Sequence, residues 1–160
     1  NLNLYQDKLN LNALVIHPCD VKSWKVFENS KIPVLVENMD SHKQSFQTIG
    51  EIKKLLVNHP RLDLCLDINH LNSQNVGAPP LWQKKLGHKI KQFHLSAVDH
   101  GYYKASTKIT DMRHALSIFE PNILNVLKVK QLPVILEGIV PPGRWDLAKK
   151  EFDLVRGRLL

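Results

Sequence analysis

Cysteine is scarce in this 160-residue chain: Cys19 and Cys65 are its only two. Two thiols cannot build the disulfide framework of a small secreted domain. Each falls in or beside an apolar run that reads as a strand, so both are expected to be buried free thiols in a reducing, cytoplasmic setting. Long apolar runs are also missing. ALVI and PVLV end after a few residues, far short of the roughly 20 that a membrane helix needs, so no membrane partner is expected. Blocks of like charge are absent too: the net charge of +7 is spread as KK pairs and single lysines, with no run of five and no RGG or RNP pattern. That balance suits a phosphorylated or polyanionic partner, and it equally suits ordinary solvated helix faces. The chain starts at Asn1, and NLNLYQDKLN has none of the charged, apolar and small regions of a signal peptide. The N-terminus reads as cut rather than native.

What the chain does have is five short β-rich runs: ALVIH (13–17), PVLVEN (33–38), LDLCLDI (62–68), IKQFHLS (90–96) and LPVILEG (132–138). They are nearly continuous in apolar residues, as strands buried on both faces of a parallel sheet are. Helical patterns lie between and after them. FQTIGEIKKLLVNH places Ile49, Ile52, Leu55 and Leu56 at helical spacing and is stopped by Pro60. RHALSIFEPNILNVLKVK carries a second pattern, interrupted or restarted at Pro121, and RWDLAKKEFDLVRGRLL puts Trp145, Ala148, Phe152 and Val155 on one face. Strands alternating with helices predict an α/β class built from right-handed βα units.

Each run stays apolar until its C-terminal end, where one metal-competent side chain stands: His17, Glu37, Asp67, His94 and Glu137. Ligands bind at the C-terminal ends of strands in parallel α/β folds, so the set is expected to converge on one edge. Three carboxylates and an imidazole from four neighbouring strands make an O3N donor set suited to Mn2+, Mg2+, Co2+ or Zn2+. Such a cation polarises a carbonyl or holds a phosphoryl oxygen, and two glutamates beside it can act as base and acid.

The ordered set of Glu in VLVEN, Asp and His three residues apart in LDINH, His in FHLS and Glu in ILEG resembles the later strands of the xylose-isomerase-like TIM-barrel superfamily. That group includes sugar-phosphate isomerases, ketose 3-epimerases and apurinic endonucleases of the endonuclease IV type. The resemblance covers nearly the whole chain. It implies a (β/α)8 barrel of which residues 1–160 carry about five βα units, strands 4 to 8, as a single, N-terminally incomplete domain. Five strands cannot close an eight-stranded barrel, so the first three units are either missing or supplied by a partner, and a homo-oligomer is one possibility.

The resemblance implies two kinds of site. In the isomerase or epimerase form, Glu37, Asp67, His94 and Glu137 hold one divalent metal. Glu37 and Glu137 exchange the proton next to the carbonyl of a small carbohydrate through an enediolate, and His70 contacts a substrate oxygen. His100 stands where many epimerases place a cationic substrate-binding residue, commonly Arg. In the endonuclease form, with nucleic acid as partner, His17 holds a first metal, Glu37 bridges, Asp67, His94 and Glu137 hold a second, and His70 joins an Asp-x-His pair at a third. The chain departs from that form: Asp99-His100 and DMRH (111–114) do not match the pair, and MDSHKQ replaces the Gly-rich continuation after Glu37. A non-catalytic barrel module is the third expectation, disfavoured because a buried carboxylate cluster without its cation is costly.

The other conspicuous residues read as ordinary ones. His42, His59, His88 and His114 are expected at the surface, Trp24 and Trp145 in helix-to-sheet packing, and Trp82 in packing rather than over a substrate. NSQNVGAPP (72–80) reads as a flexible loop that could act as a lid, and Lys104, after Tyr102 and Tyr103, as a solvated lysine.

Overall fold

The computed structural model describes residues 9–74, 79–95, 131–137, 143 and 145–159. Five strands appear where the apolar runs stand: β1 (Leu14–Ile16), β2 (Val34–Glu37), β3 (Leu62–Asp67), β4 (Ile90–Leu95) and β5 (Val134–Leu136). All neighbours pair in parallel, and the order across the sheet is the order along the chain. A doubly wound sheet reverses its strand order at a switch point; this sheet has no reversal, so it is a run of consecutive units of a partial (β/α)8 barrel.

The helices are α1 (Lys25–Glu28), α2 (Ile49–Asn58), α3 (Ile68–Gln74), α4 (Pro79–Leu86) and α5 (Trp145–Leu159), with a 3-10 turn at Pro18–Asp20. Helix α2 starts at a capping box: the Thr48 hydroxyl accepts from Glu51 N–H while the Glu51 carboxylate accepts from Thr48 N–H. It buries Ile52, Leu55 and Leu56, the stripe expected from the spacing. Helix α4 opens on Pro79, a position where the missing N–H costs nothing.

Period-two alternation hides inside the apolar runs. Val34 and Val36, Leu62, Leu64 and Leu66, and Phe93 and Leu95 join the core with Ile52, Leu56, Leu71, Trp82 and Leu86 from the helices. Residues one step out of phase, Glu37, Cys65, Asp67, Gln92 and His94, share the other face. The β-bulge between Leu64 and Cys65 shifts the β3–β4 register so that Asp67 stands opposite His94.

Four expectations need correction. The edge strands β1 and β5 are only half-buried, because among the described residues each pairs on one side alone. NSQNVGAPP is helical at both ends, where α3 runs to Gln74 and α4 starts at Pro79. In α5 Val155 is the one described side chain that joins the core, while Trp145, the first residue of the helix, and Phe152 are exposed and do not pack on the sheet. Cys65 is a buried free thiol, but Cys19, beside β1 in the 3-10 turn, is half-exposed rather than buried. Trp82 is fully buried, and Trp24 packs against the core with its ring 5.2 Å from that of His59. The pattern at 113–130, with His100, Tyr102, Tyr103, Lys104 and His114, lies outside the described residues. Among the described residues no helix is long and apolar enough to cross a membrane.

Candidate metal centre

The strand ends deliver the polar residues to one place. Glu37 and Asp67 are the last residues of β2 and β3, His94 is the penultimate residue of β4, and Glu137 follows β5 directly. One donor atom from each of these four lies within 4.8 Å of every other. His17 and His70 flank the group through Glu37. His17 Nε2 is 3.3 Å from Glu37 Oε2, and His70 Nδ1 is 3.5 Å from Glu37 Oε1. Neither joins the four-residue cluster, and His17 is half-exposed. His100 lies outside the described residues.

Asp67 works in two directions. Its Oδ1 accepts from the N–H of His70, three residues on, which is the bond of an N-cap; Asp67 thereby starts α3. Its Oδ2 is buried and receives no hydrogen bond among the described residues. Asn38, next to Glu37, locks the Asp67 peptide from both sides: Asn38 Nδ2 donates to the Asp67 carbonyl at 3.0 Å, and Asp67 N–H donates to Asn38 Oδ1 at 2.7 Å. His70 Nδ1 lies 2.7 Å from the Asn38 carbonyl. A carbonyl only accepts, so Nδ1 carries the proton and, in the neutral ring, Nε2 keeps its lone pair. Asn38 was not among the residues singled out in the sequence, where an Asn after a strand-end Glu looks like a turn residue.

His94 is held on both sides of its ring. Nε2 is 3.0 Å from the Gln92 carboxamide. Nδ1 is buried and lies 2.9 Å from Glu137 Oε1 and 3.4 Å from Glu37 Oε1. It is close to Glu137 but off the hydrogen-bonding direction, so it has no aligned partner. Beneath the cluster, burial pushes the Cys65 thiol up to about 11, which keeps it protonated and uncharged.

The electrostatics call for a positive charge at the centre. Burial, opposed by His70, pushes the Asp67 carboxyl well above the usual carboxylate range, and Glu37 and Glu137 add to the rise. Burial works to lower His94, but the close approach of the Cys65 thiol and of the Glu137 and Glu37 carboxylates outweighs it and holds the imidazole up at about 12. The same contact with His94 depresses Glu137. Among the described residues Asp67 Oδ2 thus receives no hydrogen bond and His94 Nδ1 has no aligned one, although carboxylates crowd both. A divalent cation fits that donor set in charge and in ligand chemistry.

The loop leaving Glu37 is fixed from behind. Met39 N–H donates to the Phe46 carbonyl at 2.9 Å, and the Glu51 carboxylate accepts from the N–H groups of Phe46, Gln47 and Thr48. The α2 cap therefore also anchors the segment that carries Asn38 and Asp40 past the site.

A family model described as a xylose isomerase-like TIM barrel matches residues 22–116. Among solved structures, the crystal structure of the probable 3-DHS dehydratase AsbF from Bacillus anthracis, involved in petrobactin synthesis, superposes with a TM-score of 0.72 at 18% sequence identity. The match covers 97% of this chain and 67% of that one. No curated protein matches this chain.

Proposed function

This chain belongs to the xylose isomerase-like TIM-barrel family, and from that membership and its strand-end chemistry we propose a divalent-metal-dependent isomerase or epimerase of a sugar or sugar phosphate. The observation that carries the reading is the convergence of Glu37, Asp67, His94 and Glu137, with donor atoms mutually within 4.8 Å. These four residues would hold Mn2+, Mg2+, Co2+ or Zn2+. Bound there, the cation supplies a Lewis acid that polarises a substrate carbonyl.

The remaining work belongs to the chain itself. Glu37 and Glu137 reach the cluster from β2 and from the β5 edge, so one removes the proton next to the carbonyl and the other returns one. Glu137 is the more open of the two, at 31% side-chain exposure against 3%, which supports a role on the side from which substrate enters. His70, with Nδ1 committed to Asn38, presents Nε2 to a substrate hydroxyl. His17 lies at the exposed side of Glu37 and orients that carboxylate.

A second reading, cleavage of a phosphodiester at an abasic site, is favoured by the His17–Glu37 approach of 3.3 Å, which suits a carboxylate shared between two cations. The two readings separate in one experiment. The intact protein is incubated with Mn2+ and a panel of ketoses and ketose phosphates in D2O, and in parallel with an abasic-site oligonucleotide. Deuterium incorporated next to the carbonyl is the expected result; strand nicking without incorporation would overturn it in favour of the second reading. Loss of water from the substrate would mark a dehydration, the reaction named for AsbF, with the same proton removal as its first step.

A further inference from the structure

We infer that Asn38 is a positioning residue of the metal centre: its carboxamide holds both polar atoms of the Asp67 peptide, and its carbonyl holds His70 Nδ1. The inference rests on the metal-site reading above and deepens it.

The argument starts from where strand pairing stops. β2 and β3 pair backbone to backbone up to Glu37 opposite Cys65. One residue further along β2 stands Asn38, and its side chain, fully buried, extends the pairing to Asp67 with one donated and one accepted hydrogen bond. A carboxamide offers a donor and an acceptor in one plane, which is what the N–H and C=O of one strand residue require of a partner. Asp and Glu when ionised only accept; Leu or Val offers neither.

Fixing that peptide fixes the carboxylate. Asp67 sits where β3 ends and α3 begins, a junction where a strand end could otherwise twist. With its N–H and C=O both held by Asn38, and Oδ1 held by His70 N–H at 2.7 Å, a single oxygen, Oδ2, is left for the cluster. The same residue controls the neighbouring imidazole. The Asn38 carbonyl directs a proton to His70 Nδ1, so in the neutral ring the nitrogen turned toward Asp67 and Asp40 is the lone-pair one, with Nε2 3.8 Å from Asp67 Oδ2 and 4.0 Å from Asp40 Oδ2. Groups that orient metal ligands in this way change metal affinity by about 10- to 100-fold when removed.

The test measures free Mn2+ by electron paramagnetic resonance in titrations of the intact wild type, Asn38→Ala and Asn38→Asp. Asn38→Ala is expected to weaken Mn2+ binding by about 10- to 100-fold. Asn38→Asp has the same shape, keeps the acceptor for Asp67 N–H and loses the donor; it is expected to bind Mn2+ about tenfold more weakly. That direction is decisive, because an added negative charge acting by attraction alone would tighten binding. Nitrogen-15 spectra of the His70 ring give a readout independent of metal and of the variants' folding: the neutral wild-type ring carries its proton on Nδ1, and a neutral ring protonated on Nε2 alone overturns the inference. Wild type that binds Mn2+ beside an Asn38→Asp variant that binds it equally or more tightly defeats the role of Asn38 alone. Wild type that binds no Mn2+ defeats the metal-site reading, and the inference with it.

Discussion

The middle of the sheet and its two edges are built differently. β2 is buried throughout, β3 at all but Asp63 and β4 from Phe93 onward, and the groups they bring to the site, Glu37, Asp67 and His94, are all buried. β1 and β5 are half-buried, and the groups beside them, His17 and Glu137, are open to solvent at 48% and 31% side-chain exposure. The difference separates two tasks. The central strands hold donors in a fixed, low-dielectric frame where an unmatched charge is costly, and the edges keep groups that a substrate can reach. Asn38 belongs to the centre and ties β2 to β3 at the point where both stop.

The largest expected contrast is in cation binding. Asp67→Asn at the centre is expected to abolish Mn2+ binding measured by calorimetry, whereas Glu137→Gln at the edge weakens it and leaves it measurable. In metal-free protein Asp67→Asn is expected to hold or raise the melting temperature, because it removes a buried charge from a carboxylate cluster. Equal losses of binding in the two variants would erase the distinction between centre and edge.

Packing gives the next contrast. Leu64 on β3 is fully buried, and Leu64→Ala is expected to cost about 2–5 kcal/mol in urea denaturation. Ile135 on β5 is 45% exposed, and Ile135→Ala is expected to stay within about 1 kcal/mol of wild type. Similar costs at both positions would mean that β5 is covered as fully as β3.

The smallest effect concerns the cap that anchors the loop after Glu37. Thr48→Ala is expected to cost about 1 kcal/mol. Burial works to raise the Glu51 carboxyl, but hydrogen bonds from the Thr48 side chain and from the N–H groups of Thr48, Phe46 and Gln47 outweigh it and leave the group below its usual range. A carboxyl depressed in the folded state stabilises above its unfolded value, and that stabilisation is lost as pH falls through the depressed one. The stability gap between wild type and Glu51→Gln should therefore be widest near neutrality and narrow in acid. A gap that does not change with pH would remove Glu51 from the cap.

The strands were legible because each apolar run ends in one polar residue, and those residues fall within one position of the observed strand ends. The convergence of the four cluster residues on one edge was legible for the same reason: parallel strands in sequential order put their C-terminal ends together. Three features were harder. The bond from Asn38 to Asp67 spans 29 residues, and no local pattern announces it. The α3 and α4 helices were hidden by Asn69, Asn72, Ser73 and the Pro79–Pro80 pair, which resemble loop composition although Pro is well placed in a first helical turn. Two signals stood in plain view: Asp67 followed by a helix is an N-cap, and Thr48-x-x-Glu51 is a capping box. The α5 stripe misled because helical spacing shows which residues share a face and not how far along the helix the core extends.

The central claim is that Glu37, Asp67, His94 and Glu137 together bind one divalent cation. Crystals of the intact protein soaked in Mn2+ and measured at the manganese absorption edge test it most directly. The account predicts a single strong anomalous peak bounded by those four side chains. A manganese peak elsewhere on the chain, with the space between the four left empty, would contradict it.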